Sequence, residues 1–315
     1  MENKWYLFGR YLFLEIGCFI FKSLYSIVGF TALAIRFLKN GMKMFEKKEH
    51  KKPECLEGWK HGYLQLAEIK MHYVEDGDPS NPLMLFVHGF PEYWYSWRHQ
   101  IKYFAKNYHV VAIDMRGYGQ SDKPEGIDSY DVKFLIKDLV EATMALGHTN
   151  SILVAHDWGA LVAWMLALVH PEFIDKLIIL NVPHPDSFVK QLSTNLKQFL
   201  CSWYMFFFQA PYLPEAFFET LDYSALIDSF KSLMVNAENF TDEDAEAWKY
   251  TFSQSGCSLT EPINYYRAAK RRLWAMDSVT RCKEAKLIRI PNASHFVQQD
   301  TPELVNKYIE EFLNE

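Results

Sequence analysis

The sequence predicts an α/β fold: a mostly parallel sheet with helices on both faces and a helical lid, preceded by a membrane helix. Three observations support this prediction. Short apolar runs alternate with stretches of helical periodicity from residue 58 onward. An aromatic-rich helical stretch, about 185–265, interrupts that alternation. A strongly apolar segment, 5–38, lies before the first of the alternating runs. We therefore expect a membrane anchor with a basic linker over 1–55 and one α/β domain over 56–315, with the lid at about 185–265.

The composition allows one large domain and excludes several classes of function. The 315 residues are 49% hydrophobic and 16% aromatic, which is ample material for a large core. A net charge of −6 without any basic stripe argues against nucleic-acid binding. The five cysteines are scattered and form no C-x-x-C pair, so neither a disulfide framework nor a zinc site is indicated. We expect no cofactor and no metal ion.

The N-terminal apolar segment predicts a membrane-spanning helix. A window over 19–38 is long enough to span if Lys22 and Arg36 lie near its two ends. Basic residues cluster after the window: Arg36, Lys39, Lys43, Lys47, Lys48, Lys51 and Lys52. By the positive-inside rule the rest of the chain lies on the cytosolic side, and we expect a single-pass protein of the endoplasmic reticulum. The alternative interpretation is an amphipathic helix on the membrane surface.

The α/β domain begins near residue 58 with two short strands and continues with buried apolar runs. Seven segments have the length and composition of strands: 63–67, 69–75, 83–87, 110–113, 152–154, 176–180 and 286–290. Four segments outside the lid have helical periodicity: 94–105, 132–146, 161–169 and 302–313. Because strands and helices alternate, we expect a parallel sheet covered on both faces.

The residues around Asp157 have the layout of a nucleophile elbow. An apolar, strand-forming run ends just before Asp157, and a helical run begins just after it. Small residues lie two positions before Asp157, at Ala155, and two positions after it, at Gly159. In such a strand–turn–helix one side chain is held at the top of the sheet, and the tight turn requires small neighbours. The alternative interpretation is an ordinary aspartate that caps the start of a helix.

A carboxylate at the elbow limits the chemistry that is possible. A serine that attacked an sp3 carbon would leave an ether, which water does not readily remove. A carboxylate that attacks the same carbon leaves an ester, which an activated water can cleave. Asp157 therefore indicates the opening of a C–O or C–halogen bond rather than peptide or lipid-ester hydrolysis.

Six motifs, in this order, resemble those of the epoxide hydrolases of the α/β-hydrolase fold. They are H-G-F-P-E at 88–92, D-M-R-G-Y-G-Q-S at 114–121, H-D-W-G at 156–159, Y-M-F-F-F-Q-A-P at 204–211, N-Y-Y-R at 264–267 and A-S-H-F-V-Q-Q-D at 293–300. The resemblance runs from about residue 58 to the C-terminus. The apolar N-terminus is similar to that of the membrane-anchored animal branch of the family.

The resemblance implies a role for six residues. Asp157 is the nucleophile, His295 the base that activates water, Tyr204 and Tyr266 the phenols that hydrogen-bond the epoxide oxygen, and the backbone N–H groups of Phe90 and Trp158 the oxyanion hole. The implied substrates are water and a small lipophilic epoxide, such as that of a fatty acid, with a diol as product. The same residues leave simpler interpretations open, since both tyrosines could pack the lid.

Two other functions stay open at this point. A dehalogenase also uses an elbow aspartate but needs two N–H donors for the halide, and Phe90 offers no side-chain donor where those enzymes often have asparagine. The second alternative is a catalytically silent, membrane-tethered protein that only binds apolar ligands.

One expected part of the site is not found in the sequence. A nucleophile–histidine pair normally needs an acid that orients the imidazole, and in the family that acid follows a strand between the second lid tyrosine and the histidine. Here only 29 positions separate Tyr266 from His295, where the family has roughly twice as many, enough for one more β/α unit. Asp277 is the remaining candidate acid, because Asn181 carries no charge. We expect that a strand and its acid-bearing loop are missing near Arg272 and that hydrolysis is impaired.

Overall fold

The computed structural model describes residues 4–270 and 285–315. A long N-terminal helix, α1 (Lys4–Asn40), is followed by a short 3-10 turn and by an extended linker. The segment Ile16–Phe45 is apolar enough, with a mean hydropathy of 1.8, and long enough to cross a membrane, and 6% of its most apolar window is buried in the protein. A segment of this kind near the N-terminus is a membrane span or a signal sequence.

The first half of the domain alternates strands with helices. Its elements are β1 (Lys60–Gln65), β2 (Lys70–Asp76), β3 (Leu83–Val87), α2 (Arg98–Phe104), β4 (His109–Ile113), α3 (Val132–Ala145), β5 (Ser151–His156), α4 (Asp157–Val169) and β6 (Ile174–Leu180). The sheet order is β1-β2-β4-β3-β5-β6, in which β1–β2 and β2–β4 are antiparallel and the other pairs are parallel. Every residue of β3, β4 and β5 is buried, because helices cover both faces of a parallel sheet.

The second half of the chain is helical. It consists of α5 (Pro185–Thr194), α6 (Leu196–Cys201), α7 (Trp203–Phe207), α8 (Leu213–Leu233), α9 (Asp242–Ser253) and α10 (Thr260–Lys270), followed after the gap by α11 (Val297–Asp300) and α12 (Pro302–Leu313). We refer to α5–α10 as the helical insertion. It begins where β6 ends, on the side of the sheet where the loops after β3 and β5 also lie. Ligands bind at this carboxyl edge in α/β folds.

The prediction of a strand at 286–290 is wrong. These residues have no regular secondary structure, and Leu287 is 86% exposed. In the described part of the chain, β6 pairs with β5 alone. The physical reason is that an apolar run becomes a strand only when a neighbouring strand satisfies its backbone groups, and no described strand lies between β6 and this run.

Candidate active site

The turn at Asp157 is held by close backbone packing. The backbone of Asp157 has a φ of 48°, which is uncommon for a residue with a side chain. A Cβ at Gly159 would lie 2.4 Å from the carbonyl oxygen of Val87, and one at Gly89 would lie 2.3 Å from the Cβ of Asp157. Glycine at these two positions therefore lets the start of α4 and the loop after β3 approach each other, and the Asp157 carboxylate lies between them.

The surroundings of the Asp157 carboxylate favour its ionised form. Its Oδ1 accepts a hydrogen bond of 2.8 Å from the backbone N–H of Phe90, and its Oδ2 lies 3.4 Å from Nε2 of His295. Burial raises the pKa of this carboxyl, but His295, His156 and the Phe90 N–H together outweigh burial and lower it to about 2. The N–H of Trp158 lies in the first turn of α4, where backbone donors have no intrahelical acceptor.

Two tyrosines from the helical insertion lie near enough to Asp157 for its charge to act on their hydroxyls. Tyr204 comes from α7 and Tyr266 from α10, and their rings meet edge to face with centroids 5.8 Å apart. The Tyr266 ring also packs edge to face against Trp158 at 4.9 Å. Burial, and then the nearby charge of Asp157, raises the pKa of both phenols. Both hydroxyls therefore stay protonated and can donate hydrogen bonds.

A cavity of about 620 Å³ joins these groups. Asp157, Tyr204, Tyr266 and His295 all line it. Most of its other walls are apolar, including Leu161, Met165, Val182, Phe188 and Val189. The residues that the sequence predicts as nucleophile, base and phenol donors thus share one largely apolar chamber, which suits a lipophilic molecule with one reactive polar atom.

A buried ion pair lies behind the elbow. Nδ1 of His156 lies 2.7 Å from a carboxylate oxygen of Glu92, and its Nε2 lies 2.7 Å from the backbone carbonyl oxygen of His295. Both ring nitrogens therefore face acceptors, and only the protonated imidazole donates to both. Burial lowers the pKa of His156, but Glu92 outweighs burial and raises it. His156 thus holds the His295 backbone and places a positive charge beside Asp157.

The other oxygen of Glu92 anchors the segment that follows His295. Gln298 and Gln299 each donate a side-chain hydrogen bond to it, at 3.0 and 2.8 Å. The sequence analysis did not find that Glu92 links the loop after β3, the elbow and the His295 segment. The sequence shows an acidic residue after β3 and a histidine directly before the nucleophile, but no local pattern pairs the two.

The second nitrogen of His295 has no acidic partner in the part of the chain that the structure describes. Among the described carboxylates, only that of Asp157 lies within 4 Å of the His295 imidazole. Asn181 donates through its side-chain amide to the backbone carbonyl oxygens of Ser294 and His295, so it holds the loop and not the ring. Asp277, the predicted candidate acid, lies outside the described residues. No group of three His, Cys, Asp or Glu side chains that could hold a metal ion occurs among the described residues.

Comparison with known proteins gives consistent results. The sequence profile of the alpha/beta hydrolase fold matches residues 82–302. The chain is 45% identical to Epoxide hydrolase 1 of Caenorhabditis elegans (92% of this chain, 79% of that protein) and 38% identical to Epoxide hydrolase 4 of Homo sapiens (81% and 79%). The crystal structure of the Bacillus megaterium epoxide hydrolase in complex with an inhibitor superposes with a TM-score of 0.73 at 30% identity, covering 81% of this chain and 100% of that one.

The alignments also indicate positions that this chain lacks. The alignment with the Caenorhabditis elegans protein runs over 320 positions and includes 92% of the 315 residues of this chain, which is about 290 residues. About 30 positions of the alignment therefore face no residue of this chain. The human relative, with 287 positions and 81% of this chain, gives a similar difference.

Proposed function

Because the chain belongs to the epoxide hydrolase family of the α/β-hydrolase fold, we propose that it opens lipophilic epoxides through a covalent ester on Asp157. The observation that supports this most directly is the position of an ionised elbow carboxylate beneath two protonated phenols in one apolar cavity. We infer that α5–α10 act as the lid of this chamber. The volume and apolar walls of the cavity favour epoxides of the fatty-acid type.

In the first half-reaction Asp157 is the nucleophile. One of its carboxylate oxygens attacks an epoxide carbon, and the bond from that carbon to the ring oxygen breaks with its electrons leaving on the oxygen. Tyr204 and Tyr266 donate hydrogen bonds to that oxygen, and one of them transfers its proton to form the hydroxyl group. Donors fixed in a water-poor site stabilise the developing negative charge more than water does.

In the second half-reaction His295 acts as the base. It removes a proton from a water molecule, whose oxygen attacks the carbonyl carbon of the Asp157 ester. The backbone N–H groups of Phe90 and Trp158 form the oxyanion hole for the tetrahedral intermediate. The bond between the carbonyl carbon and the substrate oxygen then breaks, and that oxygen takes the second proton of the attacking water, which releases the diol and restores the carboxylate. The His295 proton returns to the phenolate through solvent.

We propose that this second step is slow. The imidazolium formed on His295 needs an acid to orient and stabilise it, and removing that acid costs on the order of 10⁴ in kcat in the serine-protease template. Asp277 is the remaining candidate for this role. We propose that a strand and acid-bearing loop are missing near Arg272, so that the ester on Asp157 accumulates.

The N-terminal helix serves as the membrane anchor in this proposal. The apolar segment is long enough to span, and basic residues follow it. The positive-inside rule then places the hydrolase domain on the cytosolic side, and we propose the endoplasmic reticulum as its membrane.

The test is mass spectrometry of the Asp157 peptide after incubation with a lipophilic epoxide. We expect an added mass equal to that of the epoxide on Asp157, with slow release of diol, and neither in an Asp157→Ala variant. Binding of the epoxide with no ester under any condition would contradict the proposal in favour of a silent binding protein. Release of halide from a haloalkane, without ester formation from epoxides, would favour a dehalogenase.

A further inference from the structure

Helix α1 exposes an apolar face to its surroundings. Most of its large apolar side chains between residues 16 and 38 are about half exposed or more: Ile16, Phe19, Ile20, Leu24, Ile27, Val28, Phe30, Ile35, Phe37 and Leu38. A helix at the surface of a water-soluble protein would present polar residues there, and a helix that is apolar all round faces protein core or lipid. The exposed face of α1 therefore requires an apolar medium.

The opposite face of α1 packs along the helical insertion. The Phe21 ring meets Phe199 of α6 at 4.8 Å, and Tyr25 meets Trp203 of α7 at 5.9 Å. Gly29 lies so close to Phe207 that a Cβ would be 2.5 Å from the ring. The contacts continue to Arg36, whose guanidinium donates to the carbonyl oxygen of Phe217 at 2.7 Å.

This contact line fixes the depth of the insertion relative to α1. From Phe21 to Arg36 a helix rises about 22 Å, most of the thickness of a bilayer core. α6 and α7 stand beside Phe21 and Tyr25 at the same depth. An α1 that lies in the membrane surface lets α6 and α7 enter the bilayer while the body of the domain stays on the cytosolic side. The insertion also has its own exposed apolar side chains in this region, with Leu196 72%, Leu200 50% and Trp203 41% exposed.

The cavity opens beside these side chains. Exposed residues line the cavity at both ends of α5: Asn181, Pro183 and Asp186 near its start, and Lys190, Gln191 and Ser193 toward its end. One opening of the cavity therefore lies at the end of α5. Leu196 begins α6 only three residues after Ser193, and Gln198 of the same short helix lines the cavity from inside. This opening is therefore continuous with the exposed apolar side chains of α6.

We propose that α1, α6 and α7 form one membrane-embedded surface, and that the cavity opens onto the lipid so that apolar epoxides enter from the bilayer. The basic residues that follow α1, among them Lys39, Lys43 and Lys47, suit the anionic headgroups at its edge. The embedded surface follows from the packing of α1 alone. The entry of epoxides rests on the proposed function.

The embedded surface is tested by the depth of a fluorescent label. The full-length protein is used with its native cysteines replaced by serine, and an environment-sensitive label is attached to Leu200→Cys. The matched control is Val169→Cys, because Val169 lies on the body of the domain and is 50% exposed, as Leu200 is. Ile27→Cys reports α1 itself. In phosphatidylcholine–phosphatidylserine vesicles we expect spin-labelled acyl chains to quench the labels at 200 and 27, and aqueous iodide to quench the label at 169.

Two results would overturn the embedded surface. In the first, iodide reaches the label at 200 as freely as the label at 169 in vesicles. In the second, the label at 200 is shielded from iodide without vesicles, and the unlabelled Leu200→Cys variant forms a disulfide between two copies. This face would then be a dimer interface.

The entry route is tested by charge on α6. We expect the double variant Leu196→Glu/Leu200→Glu to form the Asp157 ester about tenfold or more slowly from an epoxide dissolved in vesicles, because charged side chains are costly in hydrocarbon. Ester formation from a small water-soluble epoxide should stay unchanged, as should both reactions in Val169→Glu. Equal slowing with both epoxides would contradict entry from the bilayer. If no chain forms an ester from any epoxide, the proposed function fails while the quenching result still decides the surface.

Discussion

At the scale of single residues, Asp157 and the two phenols hold opposite protonation states within one cavity. The partners of Asp157 lower its pKa to about 2 although burial acts against the charge. Burial and the Asp157 charge act together on Tyr204 and Tyr266 and raise the pKa of each phenol. The site therefore has an anionic nucleophile and neutral donors over one wide pH range, as attack on an epoxide requires.

This arrangement predicts the pH dependence of the first half-reaction. With a pKa of about 2, Asp157 is ionised at any pH well above 2. The pKa of each phenol is raised above 10, the ordinary pKa of tyrosine, so both phenols stay protonated beyond pH 10. We expect the single-turnover rate of Asp157 ester formation to be flat between about pH 5 and 10. Quenched-flow mass measurement of the peptide checks this. A fall in rate centred near pH 10 would show that a phenol titrates at its ordinary value.

The two phenols are expected to contribute through their hydroxyls and not through ring packing. Tyr204→Phe and Tyr266→Phe should each slow ester formation by about 10²-fold, the usual effect of losing one oxyanion donor. Tyr223→Phe is the matched control, because its hydroxyl donates to the carbonyl of Phe252, away from the cavity. Single-turnover kinetics separate these variants. If both site variants matched the control, the tyrosines would be packing residues.

At the scale of elements, the buried pair of Glu92 and His156 joins three segments that are distant in sequence. Glu92 follows β3, His156 ends β5, and the backbone of His295 accepts from His156. Burial raises the pKa of Glu92, but His156 outweighs burial and lowers it, while the pKa of His156 is raised. The pair therefore sets the position of the base relative to the nucleophile.

We expect Glu92→Gln to lower the free energy of unfolding by about 3–5 kcal/mol, since it leaves a buried charge without its partner. The lowered pKa of Glu92 gives stability that is present above its unfolded value of 4.5 and is lost as pH falls. The raised pKa of His156 gives stability that is present below 6.5 and is lost as pH rises. The effect should be largest between about pH 4.5 and 6.5.

Urea denaturation at several pH values measures this effect. Glu172→Gln is the control, because the His170–Glu172 pair is exposed, and exposed pairs contribute about 0–1 kcal/mol. Equal losses in the two variants, or a loss independent of pH, would contradict the ionic role of Glu92.

The packing of α1 on the helical insertion gives a second prediction at this scale. Gly29→Leu should destabilise the contact by about 1–3 kcal/mol, because its Cβ would overlap the buried Phe207 ring. Gly17→Leu is the control in the same helix, since its Cβ would meet no atom within 4 Å. Thermal unfolding in detergent, followed by protease access to α6, measures the difference. Equal stability of the two variants would show that α1 does not pack there.

The sequence predicted most elements because their signals are local. Leu83–Val87 and Pro302–Leu313 match the structure residue by residue, since apolar runs and apolar spacing determine them. The elbow was also visible, because its small residues lie within two positions of Asp157 in the sequence, although the atoms that require glycine at 159 belong to Val87 and His88. The run 286–290 also contains strand-forming residues, Leu287, Ile288 and Ile290, yet it is not a strand, because strand formation depends on a neighbour elsewhere in the chain. For the same reason the Glu92–His156 pair could not be derived from local pattern.

At the scale of the whole molecule, the segment that we propose to be missing would affect both the end of the sheet and the base of the site. Among the described residues the sheet ends at β6, and His295 has no carboxylate within 4 Å apart from the nucleophile. The alignment with Caenorhabditis elegans Epoxide hydrolase 1 has about 30 positions that face no residue of this chain. One further β/α unit would supply both a neighbour for β6 and a loop at the carboxyl edge, where the acid of a catalytic triad lies.

A chimera tests this connection. We insert near Arg272 the residues of Caenorhabditis elegans Epoxide hydrolase 1 that have no counterpart here, and in a control we insert a glycine–serine linker of equal length. We expect ester hydrolysis to rise by about 10³–10⁴, because the imidazole gains its acid, while ester formation changes little, because Asp157 and both phenols are already in place. Replacing the inserted acid by its amide should return hydrolysis to the level of the linker. If the ester still accumulated in the chimera, or if the linker restored hydrolysis equally, the slow step would lie elsewhere than in the missing acid.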